Sequence, residues 1–498
     1  MKYDIGSTAR IGVVGSGVMG AGIAQVAAQA GHEVLLLDAR EGAAAAAVQG
    51  IAKSLAGLVA KGRMEADTAN AIVQRITPIT ALGEVAGCAL VIEVIIEKLE
   101  PKQALLRELD DLLGEGALIA SNTSSISVTA LANGMKNPQR LVGMHFFNPV
   151  PQMKLVEVVS GAETSSEAAA AIEDLSRRWG KTPVHARSTP GFIVNRIARP
   201  YYAETLALLL EQACTPEQAD RALRGAGFRM GPCELMDLIG HDTNFLVTQS
   251  VFEANFGDKR YVPSMVQRAL VDGGRLGRKV GRGFYEGAPA APTPVTSPSA
   301  APAEVVLMGR GPLVECLGNW LHHRRITHVH AESSGWSGLR VGSVEVHLST
   351  GRLAAQLAHE RSRTELAVMD WPIAPERADG MALAFAPRAS EAGRAQVETL
   401  WRILGWEPLK LRDAPGLVVA RTLAMLVNEG ADAVLQGVCD ETGADTAMKL
   451  GVNYPAGPFE WLAAIGVSEV VEMLDALFDA TRNERYRVSP LLRQRLWS

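Results

Sequence analysis

The stretch that decides the fold is residues 10–38, RIGVVGSGVMGAGIAQVAAQAGHEVLLLD. The apolar run at 10–14 predicts a buried strand, the Ala-rich run at 21–30 predicts a helix, and residues 32–37 predict a second strand. Glycines between a strand and a helix let the backbone approach a pyrophosphate, which the helix N-terminus stabilises. The turn therefore predicts a dinucleotide site formed by Gly15, Gly17, Val18, Met19 and Gly20.

Asp38 closes the second predicted strand, 18 residues after Gly20. A carboxylate at this place accepts hydrogen bonds from the adenosine ribose hydroxyls and repels the 2′-phosphate of NADP. We therefore expect NAD as the cofactor. Arg40 argues for the other cofactor, because a nearby arginine can bind that phosphate.

Further strand-like segments occur at 89–96, 117–120 and 141–147, with a polar helix predicted at 101–113. Parallel strands that alternate with helices form a doubly wound α/β sheet of the Rossmann type, and ligands bind beyond the carboxyl ends of its strands. Glu97, the SNTSS segment at 121–125 and His145 each follow or end one of these strands. We therefore expect these groups at one edge of the sheet.

His145 and Glu157 lie on either side of a Pro-Val-Pro turn at 149–151. A histidine oriented by a carboxylate can remove the proton of an alcohol, and beside a nicotinamide this pair predicts a dehydrogenase. A histidine in an apolar strand is usually a hydrogen-bonded core residue when it stands alone. The glycine turn and Glu157 favour the catalytic interpretation here.

Composition excludes several classes of function. Charged residues make up 21% of the 498 residues and the net charge is −5, so no basic field favours nucleic acid or an anionic membrane. No apolar signal segment or run of about 18 apolar residues is evident, which favours a cytoplasmic protein without a membrane span. The cysteines are odd in number and show no CxxC spacing, so we expect reduced thiols and no metal site: Cys88, Cys214, Cys233, Cys316 and Cys439.

The remaining chain predicts four further regions after a nucleotide-binding domain at 1–187. Residues 188–286 are helical, with a long helix predicted at 190–211, and residues 287–303 have the proline-rich, uncharged composition of a flexible linker. Residues 304–411 look like a shortened, degenerate Rossmann-like copy, because the turn at 309–314 (GRGPLV) lacks the third glycine. Residues 412–498 predict a second helical domain.

The second helical domain repeats the first. Seven residues between Gly180 and Asp220 recur 225 positions later, among them Arg196 and Glu204 as Arg421 and Glu429. The catalytic candidates do not recur: the residue in place of Asn195 is Ala420, and a weaker alignment sets Trp371 against His145 and Leu383 against Glu157. We therefore expect a non-catalytic copy that pairs with the first helical domain within the chain.

The motifs SNTSS (121–125), MHFFNPV (144–150), LVEVV (155–159) and PGFIVNR (190–196) together resemble the 3-hydroxyacyl-CoA dehydrogenase family. The resemblance runs from about residue 10 to residue 285. It implies His145 as the general base on the 3-hydroxyl group and Glu157 as its orienting carboxylate. It also implies Ser124 and Asn195 as catalytic hydrogen-bond partners of the reacting oxygen, and so as substrate contacts.

The same resemblance assigns binding residues for the cofactor and for coenzyme A. Glu97, Lys102, Ser124 and Asn148 match positions that contact the cofactor. In a helical hairpin beginning at residue 50, Ser54 and Lys61 keep the spacing of residues that hold the CoA nucleotide; a solvated surface cation is the alternative for Lys61. No metal is implied.

The acyl group stays open. A stand-alone chain with two copies resembles the bacterial enzymes of phenylacetate breakdown that oxidise 3-hydroxyadipyl-CoA, and 3-hydroxybutyryl-CoA or general fatty-acid β-oxidation is the alternative. A distal carboxylate would need a cation, for which Arg196, Arg199, Arg224 and Arg229 are candidates by sequence proximity. A non-catalytic NADH-binding protein, a dehydrogenase of a small β-hydroxy acid and a homodimer also remain open.

Overall fold

The computed structural model describes Tyr3 and residues 5–287, 295–296 and 303–498. The predicted linker at 287–303 lies mostly outside these residues. The described chain forms two compact units, one from Met1–Val194 with Gly437–Val452 and the other from Asn195–Gln436 with Asn453–Ser498. Neither unit is one continuous stretch, because residues 437–452 return to the first unit.

The first unit is built on a mostly parallel sheet. Its strands, within the described residues, are β1 (Ile11–Val14), β2 (Val34–Leu37), β3 (Ile76–Ile79), β4 (Leu90–Glu93), β5 (Leu118–Ser121), β6 (Leu141–Phe146), β7 (Leu155–Ser160) and β8 (Thr182–Arg187). The helices of this stretch are α1 (Val18–Gln29), α2 (Ala43–Ala60), α3 (Ala66–Gln74), α4 (Leu99–Leu112), α5 (Val128–Leu131) and α6 (Ser166–Arg178). The order is β3-β2-β1-β4-β5-β6-β7-β8, which confirms the predicted doubly wound sheet.

The burial of the strands follows from their apolar runs. β1, β4, β5 and β6 are buried at every position, as expected for strands covered by helices on both faces. β4 ends at Glu93, so the strand predicted to reach residue 96 is too long, and Glu97 lies four residues beyond it. β6 and β7 are antiparallel, and their register sets His145 directly opposite Glu157.

The first helical repeat follows the sheet along the chain. Its helices are α7 (Val194–Ile197), α8 (Arg199–Leu210), α9 (Pro216–Gly225), α10 (Pro232–Ile239), α11 (His241–Ala254) and α12 (Met265–Asp272). The single helix predicted at 190–211 is wrong in its first turn, because Gly191 and Phe192 have positive φ angles of 79° and 48°. Left-handed residues cannot continue an α-helix, so the helix begins only at Val194.

The second unit contains a smaller, altered sheet. Its strands, among the described residues, are β9 (Val305–Met308), β10 (His328–Ala331), β11 (Gly338–Val341), β12 (Val344–Leu348), β13 (Leu366–Met369), β14 (Gly380–Phe385) and β15 (Glu407–Lys410), with helices α13 (Pro312–His323), α14 (Ala354–Glu360) and α15 (Glu391–Ile403). The order is β10-β9-β11-β12-β13-β14-β15. β11 occupies the place that β4 has in the first sheet, but it runs antiparallel to both of its neighbours.

The C-terminal helices repeat the earlier ones with one exchange. They are α16 (Val419–Leu435), α17 (Glu441–Val452), α18 (Pro458–Ile465), α19 (Val467–Thr481) and α20 (Pro490–Trp497). α17 packs on β7 and β8 in the first unit, whereas its counterpart in the repeat, α9, packs on β14 in the second unit. Each helical repeat therefore supplies one helix to the sheet of the other copy.

Buried ion pairs join the two repeats within the second unit. Arg196 Nε donates to Glu429 Oε1 at 2.6 Å, and Arg421 Nε donates to Glu204 Oε2 at 2.7 Å. The four side chains are at most 6% exposed, and a buried charge is strongly destabilising without its partner. The recurrence of Arg196 and Glu204 as Arg421 and Glu429 thus reflects reciprocal pairing between the copies.

One helix, α2, is long and apolar enough by length and composition alone to cross a membrane. Its 18 residues have a mean hydropathy of 1.4, and 17% of them are buried. The sequence analysis missed this run because polar residues interrupt its alanines. Within the first unit, α2 packs against α1, α3 and β3.

Candidate active site

His145 and Glu157 form a buried pair across β6 and β7. His145 Nδ1 lies 2.5 Å from Glu157 Oε2, and the two residues are 5% and 0% exposed. A carboxylate at this distance favours the tautomer with the proton on Nδ1, which leaves a lone pair on Nε2. The arrangement suits Nε2 for accepting a proton.

The second oxygen of Glu157 anchors the start of α7. Glu157 Oε1 accepts hydrogen bonds from the backbone N–H groups of Ile193 (3.0 Å) and Val194 (2.9 Å). The left-handed turn at Gly191 and Phe192 directs these donors at the carboxylate. Glu157 therefore holds the start of α7 with the oxygen that does not bind His145.

Apolar groups enclose His145. The Phe147 ring lies 4.5 Å and the Phe192 ring 5.8 Å from the His145 ring, measured between centroids. α17 approaches the same place: a Cβ added to Gly451 would lie 3.6 Å from the Phe147 ring and 2.7 Å from Leu155 Cδ2. A helix from the C-terminal part of the chain therefore packs behind the catalytic strand, which the sequence analysis did not predict.

The glycine turn fits a dinucleotide. Gly15 has φ 109°, and a Cβ at Gly20 would lie 1.8 Å from Gly15 O, so both positions require glycine. A Cβ at Gly17 would point into open space. In the described residues, the N-terminus of α1 has no side-chain cap and no acidic residue in its first turn, so its N–H groups can face phosphate.

Asp38 lies beside that turn and pairs with Arg40. Asp38 accepts hydrogen bonds from Ser16 N (2.8 Å) and Ser16 Oγ (2.7 Å), while Arg40 Nε binds its other oxygen at 3.1 Å. Burial would raise the pKa of Asp38, but the hydrogen bonds from Arg40 and Ser16 hold it well below its usual value. The carboxylate is therefore charged where it would face a 2′-phosphate.

Glu97 holds the SNTSS loop in place. Its Oε1 accepts hydrogen bonds from Thr123 Oγ1 (2.7 Å), Ser124 N (2.8 Å) and Ser125 N (3.1 Å). Burial would raise the pKa of Glu97, but the Lys102 ammonium and these hydrogen bonds keep it below its usual value. Glu97 thus fixes the position of Ser124.

Lys102 is 1% exposed and lies between two carboxylates. Its Nζ binds Glu93 Oε1 at 2.6 Å and Glu97 Oε2 at 3.2 Å, and Glu93 also accepts from Ser121 Oγ at 2.6 Å. This network links β4, α4 and the loop. Glu93 was not among the predicted site residues, although a charged residue at the end of an apolar strand was a signal for it.

The other predicted residues lie apart from this network. Asn148 is exposed after β6, and Ser54 and Lys61 are exposed at the C-terminal end of α2, two helical turns apart and so on one face. Asn195 is the first residue of the second unit, so its placement against His145 stays a prediction. Among the described residues, no cluster of His, Cys, Asp or Glu has the makings of a metal site.

The second sheet has a different pair at the corresponding place. Asp370 follows β13 and accepts hydrogen bonds from Val418 N, Val419 N and Ala420 N, at 2.7–2.9 Å. Trp371 is 2% exposed, and its Nε1 donates to Ser349 O. The alignment of His145 with Trp371 and Glu157 with Leu383 is wrong as a pair, since Leu383 lies opposite Met369.

Three models of one protein family match the chain. The 3-hydroxyacyl-CoA dehydrogenase NAD binding domain matches residues 10–189, and the C-terminal domain of the same family matches residues 191–287 and again 416–497. A 3-hydroxybutyryl-CoA dehydrogenase reduced Rossmann-fold domain matches residues 346–415. The second match of the C-terminal domain agrees with the helical repeat.

A relative matches nearly the whole chain: the 3-hydroxyadipyl-CoA dehydrogenase of Escherichia coli K12 is 41% identical over 97% of both proteins. The chain belongs to the 3-hydroxyacyl-CoA dehydrogenase family. It is an NAD-dependent oxidoreductase whose substrates are 3-hydroxyacyl-CoA thioesters. The predictions of family, enzyme class and cofactor are confirmed.

Other relatives separate into full-length and shorter matches. A crystal structure of 3-hydroxybutyryl-CoA dehydrogenase from Escherichia coli K12 covers 98% of both chains at 41% identity, with a TM-score of 0.89. The mitochondrial hydroxyacyl-coenzyme A dehydrogenase of Homo sapiens is 40% identical and covers 55% of this chain. The full-length match confirms the predicted fold class, including the second copy.

Proposed function

We propose that this dehydrogenase oxidises (3S)-3-hydroxyadipyl-CoA to 3-oxoadipyl-CoA, with His145 as the general base. The hydrogen bond between His145 Nδ1 and Glu157 Oε2 carries the chemical part of this proposal. The acyl group is supported by the full-length relative, which bears that name. A 3-hydroxybutyryl substrate is the second candidate, supported by the name of the full-length solved structure.

In this mechanism His145 Nε2 takes the proton of the 3-hydroxyl group while C3 loses its hydride. NAD, when bound, supplies the hydride acceptor. Glu157 keeps the imidazole in the productive tautomer and stabilises the imidazolium that forms, and such general-base catalysis contributes ~10²- to 10⁴-fold. Phe147 and Phe192 keep water from the imidazole, and Ser124 and Asn195 donate hydrogen bonds to the reacting oxygen.

The binding roles are part of the same proposal. The glycine turn and Asp38 hold the cofactor, which Glu97 and Lys102 also contact. Asn148 lies beside its nicotinamide, and Ser54 and Lys61 bind the CoA nucleotide. The exposure of Ser54 and Lys61 on one face of α2 supports the last assignment. Cationic side chains on a helix face are well suited to phosphate.

We also propose a cytoplasmic location and a pairing role for the second helical copy. The proposed domains are residues 1–187, 188–286, 304–411 and 412–498. The pairing role is supported by α16, which packs on α8 with Leu423, Leu426 and Val427 at most 1% exposed. In single-copy relatives a second subunit would take this place.

A comparison of three substrates tests the proposed reaction. NADH formation should be most efficient, by kcat/KM, with 3-hydroxyadipyl-CoA, followed by 3-hydroxyhexanoyl-CoA and 3-hydroxybutyryl-CoA. A preference for 3-hydroxybutyryl-CoA would contradict the acyl assignment and favour the second candidate. If none of the three substrates gives NADH, the proposed reaction itself is contradicted.

A further inference from the structure

A cavity of about 310 Å³ lies within the second unit, between α8 and the segment from Lys259 to Met265. That volume is within the range of small-molecule sites. One wall is apolar, with Leu206, Leu210 and Met265, and Met265 is 69% exposed. The described lining residues include four cationic side chains and no aspartate or glutamate: Arg199, Lys259, Arg260 and Arg485.

Arg199 is the distinctive group in this cavity. It is 5% exposed, its Nε donates to Asn195 O at 2.9 Å, and its Nη1 donates to Thr248 Oγ1 at 3.1 Å. The guanidinium carbon lies 5.0 Å from the centre of the Tyr202 ring. Among the described residues, Arg199 forms no ion pair with a carboxylate within 4.0 Å, and burial lowers its pKa.

The other three arginine candidates and the two further arginines of the cavity wall either pair with a carboxylate or face solvent. Arg196 pairs with Glu429, and Arg224 pairs with Glu234 at 3.2 Å. In the cavity wall, Arg260 binds Glu429 and Asp432, and Arg485 binds Glu204. Arg229 is exposed. Of the four candidates from the sequence, Arg199 is therefore the buried cation whose charge the described chain does not neutralise.

A buried cation without a counter-charge is costly, and the cost is recovered when an anion binds. The alternative is a purely structural role, in which Tyr202 and the two oxygen acceptors hold Arg199 without a ligand. Methionine would fill such a place without burying a charge. The cationic lining beside an apolar wall instead matches a carboxylate at the end of an alkyl chain.

The position of Arg199 along the helix connects the cavity with the reaction. Arg199 follows Asn195 by four residues and is hydrogen-bonded to its carbonyl group, and a helical rise of ~1.5 Å per residue separates them by about 6 Å. In 3-hydroxyadipyl-CoA, the carboxylate carbon lies three bonds beyond C3. A substrate with its C3 oxygen at Asn195 therefore brings its carboxylate toward Arg199.

We propose that the cavity beside Arg199 is the subsite for the distal carboxylate of the acyl chain, and that Arg199 binds this carboxylate and sets the preference for dicarboxylyl substrates. This assignment rests on the proposed function, since it presumes a 3-hydroxyadipyl substrate. Tyr202 stacks on the guanidinium and keeps it in place. Leu206 and Met265 cover the methylene groups.

The test compares 3-hydroxyadipyl-CoA with 3-hydroxyhexanoyl-CoA, which has the same length but ends in a methyl group. Arg199→Met should lower the ratio of the two kcat/KM values by roughly 10²-fold, mainly through the KM of the dicarboxylyl substrate. Arg229→Met is the matched control, because it removes an exposed arginine from the loop between α9 and α10, and it should leave the ratio unchanged. Arg199→Lys keeps the charge without the planar fork and should lower the ratio by roughly tenfold.

The outcomes separate the two proposals. A wild-type enzyme without a preference for the dicarboxylyl substrate would contradict the proposed acyl group. A wild-type preference that Arg199→Met retains would contradict the subsite while the proposed function stands. If Arg199→Met does not fold, Arg199→Lys decides, and an undiminished ratio in that variant overturns the assignment. A fall of the ratio in Arg229→Met as large as in Arg199→Lys would also overturn it.

Discussion

The two Rossmann sheets use a carboxylate in the same way but only one of them keeps a base beside it. Glu157 in the first sheet and Asp370 in the second each accept the N–H groups that begin a helix, after left-handed turns at Phe192 and Leu417. In the first sheet the carboxylate also binds His145, whereas the second sheet has the buried Trp371 beside it. Anchoring the helix is therefore separable from orienting the base, and the second copy keeps only the anchor.

The glycine turns that follow the first strand of each sheet, β1 and β9, also differ. The first glycines of the two turns are alike, because a Cβ would lie 2.4 Å from Val94 O at Gly15 and 2.6 Å from Ser337 Oγ and Trp336 O at Gly309. The second glycines differ, since a Cβ at Gly17 would meet nothing within 4 Å. The third glycine of the first turn, Gly20, has no counterpart in the second, where Val314 takes its place, and Pro312 removes one N–H group from the start of α13. Near the start of α13, Glu469 Oε1 lies 3.6 Å from the place of a Cβ on Gly311, so a carboxylate of the chain stands near this helix N-terminus.

The largest expected effect compares two buried histidines, one from each sheet. His145→Gln should lower kcat by ~10²- to 10⁴-fold because proton removal is lost. His347 is also 5% exposed and lies 3.2 Å from Glu345, but His347→Gln should leave kcat unchanged because it serves only the second sheet. Steady-state NADH formation measures both, and NADH affinity checks folding. Equal losses of kcat in the two variants would contradict the claim that catalysis depends on the histidine of the first sheet alone.

Next in size is the loss of the reciprocal ion pairs. Glu204→Gln removes the buried carboxylate that binds Arg421, whose remaining carboxylate partner among the described residues is the partly exposed Glu211. Glu429→Gln removes the buried carboxylate that binds Arg196. Each variant should lower the free energy of unfolding by about 3–5 kcal/mol, since a buried arginine loses its buried carboxylate. Denaturant titration measures this free energy. Similar losses support equal roles of the two repeats, and a loss confined to one variant would show that the repeats are not equivalent.

A smaller effect is expected for the anchor in the second sheet. Asp370→Asn should lower stability by about 1–3 kcal/mol, because an amide cannot accept all the N–H groups that the carboxyl group accepts. NADH formation by the folded variant should be unchanged. A strong loss of turnover would give the second sheet a part in catalysis.

The loss in Asp370→Asn should depend on pH. Burial raises the pKa of Asp370 to about 6 in spite of its hydrogen bonds to Val419 and Ala420. A raised pKa means that the folded protein binds this proton more tightly than the unfolded chain does. The resulting stabilisation is fully present below the unfolded pKa of 3.8, and it is lost as the pH rises through about 6. The difference in unfolding free energy between wild type and variant should therefore be larger at low than at neutral pH.

The smallest effect concerns the cofactor turn of the first sheet. Asp38→Ala should narrow the preference for NAD over NADP by roughly tenfold, or ~1.4 kcal/mol, since the charge that repels the 2′-phosphate is gone. The ratio of kcat/KM for the two cofactors measures it. Equal use of both cofactors by the wild type would show that Arg40, which pairs with Asp38, dominates the recognition.

Local pattern was enough to predict much of the first sheet and its histidine. The glycine turn, the strand β1 and the pair of His145 with Glu157 follow from short motifs with fixed spacing. The helix predicted at 190–211 was too long, because the sequence shows the apolar period but not the left-handed backbone at Phe192.

Features that depend on distant contacts could not be predicted. The reversal of β11 is decided by pairing with β9 and β12, and the return of α17 to the first unit by packing on β7 and β8. The anchoring role of Asp370 could not be predicted either, because the sequence around β13 aligns too weakly with the first copy to show which residue would replace His145 or Glu157. The lack of a carboxylate within 4.0 Å of Arg199, among the described residues, likewise depends on side chains that are distant in the sequence.

The most direct test of the difference between the sheets is the number of cofactor sites. Calorimetric titration of the intact 498-residue protein with NADH should give one site per chain, because the second turn lacks the third glycine and the Glu469 carboxylate stands near the start of α13. Two equivalent sites per chain would contradict the assignment of the second sheet as a copy that keeps its fold without a cofactor.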